Sequence, residues 1–449
     1  MKRIIEENLL AWKNEPKRKP LIIDGARQIG KTYTMLDFGK KNYPNVAYFN
    51  FEGNKPLNRI FCEDLNPERI VRELSALSGK SIQKGSALII FDEIQACPAA
   101  LTSLKYFCET APEYHIICAG SLLGIALNRE SNAEKISFPV GKTNGLKMYP
   151  MNFKEFLWAA GYGDLAALIE ESFSNNKPLS EPLHLKALEL YKTYILVGGM
   201  PECVAEYLER MDFDFMRAKQ HKIVADYTAD MVKYSDRLEA VRHEAVYNSI
   251  PSQLSKENRK FQYGIIKSGA RAKDYENSIT WIAKAGIALQ CFKMNTVNTP
   301  AEFYKDMTSY KIYFSDVGLL CSKFAVSPEI LLSDFSIGGE AKGALTENYL
   351  AQELTAAGHS IYYWESGGRA EVDFVLQIGG KLIPVECKAA ENTKSKSLKA
   401  YVEAFKPDYS VRVSSKNFGF ENRIKSIPLY AASCIANLGS GQVALQKYF

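Results

Sequence analysis

The sequence predicts an α/β chain of several domains, and three stretches carry that prediction. Leu21-Ile22-Ile23-Asp24 is a short apolar strand that runs through a glycine-bounded turn into a helical pattern, Thr32 to Phe38. Ala87-Leu88-Ile89-Ile90-Phe91 is a continuous apolar run, the pattern of a strand covered on both faces of a parallel sheet. Glu371–Gln377 and Leu382–Lys388 alternate apolar and polar residues around Gly379-Gly380, the pattern of a β-hairpin. The 449 residues exceed the length, roughly 250–300, at which one core stops growing, so two to four domains are expected.

Composition excludes several classes. Hydrophobic residues at 46% and charged residues at 24% are those of an ordinary folded protein, not of a disordered or collagen-like chain. No apolar run approaches the roughly 18 residues of a membrane helix. Glu6 and Glu7 stand where a signal peptide needs its apolar stretch, so the expected location is cytoplasmic, with no membrane partner. Nine cysteines are scattered without a CxxC pair, several inside apolar runs such as those of Cys118 and Cys387. They read as reduced core thiols, not a disulfide frame or zinc site. The net charge of +5 is mild and by itself says little about nucleic acid.

The turn after the first strand is chemically specific. Gly25-Ala26-Arg27-Gln28-Ile29-Gly30-Lys31-Thr32 fits G-x-x-x-x-G-K-S/T at every fixed position, between a strand and a helix. Gly25 and Gly30 let the backbone curl so that its N–H groups face a phosphate. The helix N-terminus adds partial positive charge, Lys31 reaches the β- and γ-phosphates, and the Thr32 hydroxyl ligates Mg²⁺. The second strand ends in Asp92-Glu93. An Asp there is placed to hold Mg²⁺ and a Glu to orient or deprotonate an attacking water; a helix cap would explain one acid but not two. A third strand, His115–Ala119, ends in Gly120-Ser121, and Arg27 and Arg129 are both candidates for stabilising transition-state charge. The expected ligands are ATP and Mg²⁺.

A resemblance adds to this reading. Arg27–Thr32, Asn50-Phe51-Glu52, Phe91–Gln95 and Ala119–Gly124 look like one bacterial and archaeal family of AAA-type ATPases. Phe138–Lys142, Tyr149–Phe156 and Gly198-Gly199-Met200-Pro201-Glu202 match it too, and its members resemble this chain from end to end. The resemblance implies an ATPase core followed by a C-terminal domain of unknown function (family 4143). It also makes Ser121 a candidate sensor of the γ-phosphate. Relatives often carry an arginine where Lys142 stands, so no arginine finger is assigned there.

The middle reads as helical from Met151 to about Asp236, with Asn175–Pro178 as a loop; its first part is expected as a lid over the nucleotide. Between Pro251 and Lys273 lie six basic residues (Lys256, Arg259, Lys260, Lys267, Arg271, Lys273) against one acid, Glu257. An amphipathic stretch, Tyr275–Lys284, and two strands, Ile287–Phe292 and Lys311–Phe314, follow in the order of a winged helix, which the family is also expected to contain. The basic stripe is a candidate surface for phosphates, or a solvated face.

If Gly379-Gly380 is a two-residue turn, Asp373 faces Glu386 and Glu371 faces Lys388, with Cβ atoms about 4.5–5.5 Å apart. Two carboxylates that close call for a cation, and Mg²⁺ favours oxygen ligands of this charge. Lys388 can then polarise a phosphate or position a water. Asp, then Glu-x-Lys across a hairpin, resembles the PD-(D/E)XK nuclease superfamily, whose further acid on a preceding helix Glu347 matches. The alternative is an exposed face of alternating charge on which Glu371 and Lys388 pair.

The expected organisation is α/β throughout: a RecA-like parallel-sheet P-loop ATPase core (1–150), a helical lid and connector (151–236), a winged-helix-like part (237–332) and a PD-(D/E)XK-like α/β domain (333–449). The expected function is a Mg²⁺-dependent ATPase coupled to a nucleic-acid-binding or nuclease-like C-terminal domain. The alternative is an ATP-dependent switch that docks a protein or DNA without cutting. The oligomeric state is left open by the sequence.

Overall fold

The computed structural model describes residues 1–120, 139–332, 339–368, 370–389 and 396–438. The chain divides into two compact units, one running from Lys2 to Tyr149 and the other beginning at Pro150.

The first unit is built on a five-stranded sheet, β1 (Leu21–Asp24), β2 (Asn45–Asn50), β3 (Ala87–Asp92), β4 (His115–Ala119) and β5 (Asn144–Lys147), in the order β2-β3-β4-β1-β5. Every neighbouring pair is parallel. Strands β3 and β4 are buried along their whole length, which is why Ala87–Phe91 and Ile116–Ala119 are unbroken apolar runs. Its helices are α1 (Ile5–Asn14), α2 (Lys31–Asn42), α3 (Lys55–Glu63), α4 (Pro67–Ser78) and α5 (Pro98–Thr110). Asn54 and Asn66 cap α3 and α4 by accepting from backbone N–H groups of the first turn, each cap contributing about 1 kcal/mol. A core of Phe49, Phe51, Phe61, Phe91 and Phe107, with aliphatic neighbours, fills the space between the sheet and α3–α5. The chain crosses from β1 to the far edge at β2 and works back through β3 and β4. The carboxyl ends of β1 and β3 therefore lie on one edge of the sheet, where α/β folds hold ligands.

The second unit carries an eight-stranded mixed sheet. Its strands are β6 (Ala288–Met294), β7 (Lys305–Phe314), β8 (Tyr362–Glu365), β9 (Glu371–Ile378), β10 (Lys381–Cys387), β11 (Ser410–Ser414), β12 (Gly419–Glu421) and β13 (Ile424–Pro428). They run in the order β12-β13-β11-β10-β9-β8-β6-β7. The β9–β10 hairpin has the predicted register, from Lys381↔Ile378 to Val385↔Phe374 around the two glycines. β6 and β7 pair antiparallel, as two wing strands would. However, β6 also pairs with β8, so these strands are one edge of the large sheet. The expected boundary at 332 therefore falls inside a single sheet.

The helices Phe153–Ala159, Gly163–Asn175, Glu181–Val197, Pro201–Arg210 and Phe213–Lys233, expected as lid and connector, group with this sheet. The Gly198-Gly199 turn shows why. Met151 N–H donates to the Gly199 carbonyl at 2.7 Å, and Gly199 N–H donates to Asp316 Oδ2 at 2.6 Å. Asp316 also caps the helix Val317–Lys323 through the Leu319 N–H at 3.0 Å. Gly198 has φ +74°, and a Cβ on Gly318 would stand 2.6 Å from Gly198 N. Both positions need glycine.

All nine cysteines are free; six are buried, Cys108 and Cys387 are half-buried and Cys62 is exposed. Among the described residues no helix is long and apolar enough to cross a membrane.

Candidate functional site

The phosphate loop is shaped by its backbone before its side chains act. Gly25 has φ +146°, and a Cβ there would lie 2.7 Å from Ile29 Cδ1. Gly30, with φ +91°, stands just before α2 and turns the chain into the helix; Gln28 is also left-handed, at φ +64°. The loop is held by a residue whose role the sequence did not reveal. Arg3 is buried, and its guanidinium donates to the carbonyls of Ile29 at 2.9 Å and Tyr149 at 2.7 Å. In the sequence Arg3 is one basic residue in a charged start, and only the fold brings it across 26 residues to the loop.

Lys31 begins α2 and is itself buried. Its ammonium donates to the carbonyls of Gly25 at 2.8 Å and Ala26 at 2.7 Å, so it is aimed into the curl of the loop. Burial lowers its pKa to about 8, against the upward pull of Glu93, Asp24 and Asp92.

Thr32 and the strand-end Asp92 meet directly. The Thr32 hydroxyl donates to Asp92 Oδ2 at 2.7 Å, and the Tyr48 hydroxyl, from the neighbouring strand β2, donates to the same oxygen at 2.9 Å. Asn50 and Asp92 are paired in register at the ends of β2 and β3, which places Tyr48 one pleat back on the acid's side. Burial and the nearby Asp92 charge push the Tyr48 phenol up to about 12, so it donates at all ordinary pH. Glu93 follows in a left-handed conformation, φ +50°, as the chain leaves the strand. Gln95 Nε2 donates to Glu93 Oε2 at 2.5 Å, fixing the carboxylate's direction. Arg27 lies 3.9 Å from Glu52, the acid of the Asn50-Phe51-Glu52 motif. Lys142 pairs with Glu109 at 2.9 Å. Ser121 and Arg129 lie outside the described residues.

These donors fit Mg²⁺: a hydroxyl and a carboxylate joined by one hydrogen bond, with a lysine and a second acid beside them, are the hard oxygen ligands and phosphate contacts of a nucleotide metal site.

Residues 17–157 match the family model of an AAA domain. The AAA domain thus covers the phosphate loop, β1–β5 and the strand-end acids, and supports ATP binding and ATPase function in general. Residues 188–329 match a domain of unknown function, DUF8612, and residues 342–432 match another, DUF4143. Together the matches support an AAA-type P-loop ATPase with a DUF4143 domain towards its C-terminus. No curated protein matches the chain. Among solved structures, a Walker-type ATPase of Pyrococcus abyssi is 14% identical, with TM-score 0.41, over 72% of this chain and 95% of that one. The ORC1 protein of Aeropyrum pernix, solved in complex with DNA, is 13% identical, with TM-score 0.27, over 72% and 90%. Likenesses of that order carry no argument about fold or function.

The C-terminal residues Glu347, Asp373, Glu386 and Lys388 each have a polar partner. Asp373 Oδ2 accepts from the Cys387 N–H at 2.8 Å. Lys388 pairs with Glu386 at 2.7 Å, and Glu371 pairs with Lys311 of β7. On its other edge β10 pairs with β11, and Lys388 N–H donates to the Val413 carbonyl at 2.8 Å. Glu347, on the helix Gly339–Ala356, is buried; its Oε1 accepts from Lys311 Nζ at 3.0 Å and Tyr313 Oη at 2.5 Å, and its Oε2 is ion-paired with Arg259. Among the described residues no group of three or more His, Cys, Asp or Glu side chains is placed to hold a metal ion. The four carboxylate and ammonium groups are thus engaged by one another, by Arg259 and Lys311, and by a backbone N–H.

Proposed function

We propose that the protein is a Mg²⁺-dependent ATPase whose second unit engages nucleic acid or a protein according to nucleotide state. The observation that carries the ATPase reading is the Thr32–Asp92 hydrogen bond beside Lys31 and Glu93, at the carboxyl ends of β1 and β3. Gly25–Thr32 would wrap the phosphates with backbone N–H groups, and Lys31 would exchange its loop carbonyls for β- and γ-phosphate oxygens. Thr32 and Asp92 would hold Mg²⁺, which when bound neutralises charge on the phosphate oxygens. Glu93, aimed by Gln95, would orient the attacking water and take its proton. Arg27 remains a candidate for the developing charge on the γ-phosphate.

The second unit offers phosphates a basic stretch, on which Lys256, Lys267, Arg271 and Lys273 are exposed, while Arg259 is committed to Glu347. The nuclease-like reading of Asp373, Glu386 and Lys388 has the weaker support. The engagement of Glu347 by Arg259 and Lys311 favours the alternative, a unit that docks without cutting. ATP turnover with and without duplex DNA tests the coupling. DNA-stimulated turnover with no cleavage of the duplex is the expected result. Turnover indifferent to DNA would move the partner to a protein, and cleavage lost in Asp373→Ala would restore the nuclease reading.

A further inference from the structure

Arg259 of the basic stretch and the C-terminal carboxylates, far apart in the sequence, meet in one partly buried cluster. We infer that Arg259 stands as a built-in cation on Glu347, so that the carboxylates of the second unit are charge-balanced by side chains and exclude a divalent metal while that guanidinium is in place. The inference concerns the second unit alone and is independent of the nucleotide reading.

Four observations support it. Glu347 uses both oxygens, Oε2 on Arg259 and Oε1 on Lys311 and Tyr313, and its side chain is only 2% exposed. Lys311 is fully buried and shared between Glu347 and Glu371, with its ammonium 5.1 Å from the centre of the Tyr363 ring. Gly343 lies one turn before Glu347 on the same helix, and a Cβ there would stand 2.8 Å from Arg259 Nη2, so the helix is notched where the guanidinium enters. Finally, the Cys387 thiol, pushed up by burial, feels the charges of Asp373, Arg259, Lys388 and Glu386 together.

The charges nearly cancel. Glu347, Glu371, Asp373 and Glu386 face Arg259, Lys311 and Lys388. A dication added to this set would reverse its sign and would have to compete for Glu347 with a guanidinium that stays charged at any ordinary pH. Arginine is suited to the task, since its planar donors match a carboxylate and it is more weakly hydrated than an ammonium.

The test is Mn²⁺ binding to the nucleotide-free full chain, followed by electron paramagnetic resonance. Any Mn²⁺ at the phosphate loop is common to all variants and forms the baseline. Wild type and Asp373→Asn are expected to bind the same number of ions. Arg259→Ala is expected to bind one more per chain, lost again in Arg259→Ala/Asp373→Asn, whereas Arg259→Lys stays at the wild-type count. A wild-type ion that disappears in Asp373→Asn would overturn the inference, as would a folded Arg259→Ala that binds no additional ion. Should Arg259→Ala fail to fold, the comparison of wild type with Asp373→Asn still decides.

Discussion

Asp92 and Glu93 are adjacent in sequence but held by different means. Asp92 is fixed by the hydroxyls of Thr32 and Tyr48, Glu93 by the amide of Gln95 and a left-handed backbone. Tyr48 touches no substrate in this scheme; it positions the metal-binding acid. Tyr48→Phe is expected to raise the Mg²⁺ concentration for half-maximal turnover about tenfold, in line with losses of outer-shell partners, while leaving ATP binding without metal unchanged. A Mg²⁺ titration of turnover checks this. A second residue-scale prediction concerns Glu353. It is buried on the helix Gly339–Ala356, accepts from the Phe153 N–H at 2.8 Å, and burial raises its pKa to about 8. The folded state therefore keeps a proton that the unfolded chain releases near its ordinary value of 4.5. Stability falls as pH rises from about 4.5 to about 8, by up to about 1.4 kcal/mol per unit. Denaturant unfolding across that range should show the slope in wild type and a flatter curve in Glu353→Gln. Asp316, raised by burial to about 6, contributes a smaller fall in the same direction, ending near that pH, and persists in the variant.

Among the elements, the β9–β10 hairpin and the Gly198-Gly199 turn mark how far local pattern reaches. The hairpin register was legible because alternation and a Gly-Gly turn specify it together, and a one-residue slip would turn Val372, Phe374 and Leu376 out of the core. The side-chain partners at its open end were not legible. They depend on Lys311 from β7 and on β11, elements far away in sequence. Nor could pattern show that β6 and β7 join the C-terminal sheet, since a lone hairpin and a sheet edge alternate alike. The chemistry of the phosphate loop is local and so legible in the sequence, whereas Arg3 reaches the loop across 26 residues and Tyr48 reaches Asp92 across 44. The turn at Gly198 yields a prediction at this scale. Gly318→Ala forces a Cβ into Gly198 N and should destabilise the second unit by about 2–3 kcal/mol, seen as a lowered denaturation midpoint with ATP affinity unchanged.

For the molecule as a whole, two compact units meeting at residues 149–150 predict two unfolding transitions in calorimetry. MgATP should raise the transition of the Lys2–Tyr149 unit, by about 2.7 kcal/mol at a hundredfold excess over Kd. Lys31→Ala should abolish that shift, because the lysine aimed into the loop is then gone. A single transition moved whole by MgATP would contradict the division into two units. The central claim, that Glu93 works on a water beside a Thr32–Asp92 metal site, is tested most directly by Mg²⁺-dependent ATP turnover of wild type against Glu93→Gln, with ATP affinity measured in parallel. The account predicts turnover in wild type, a loss of about a hundredfold or more in Glu93→Gln, and nearly equal ATP affinity in both. Equal turnover in the two proteins would contradict it.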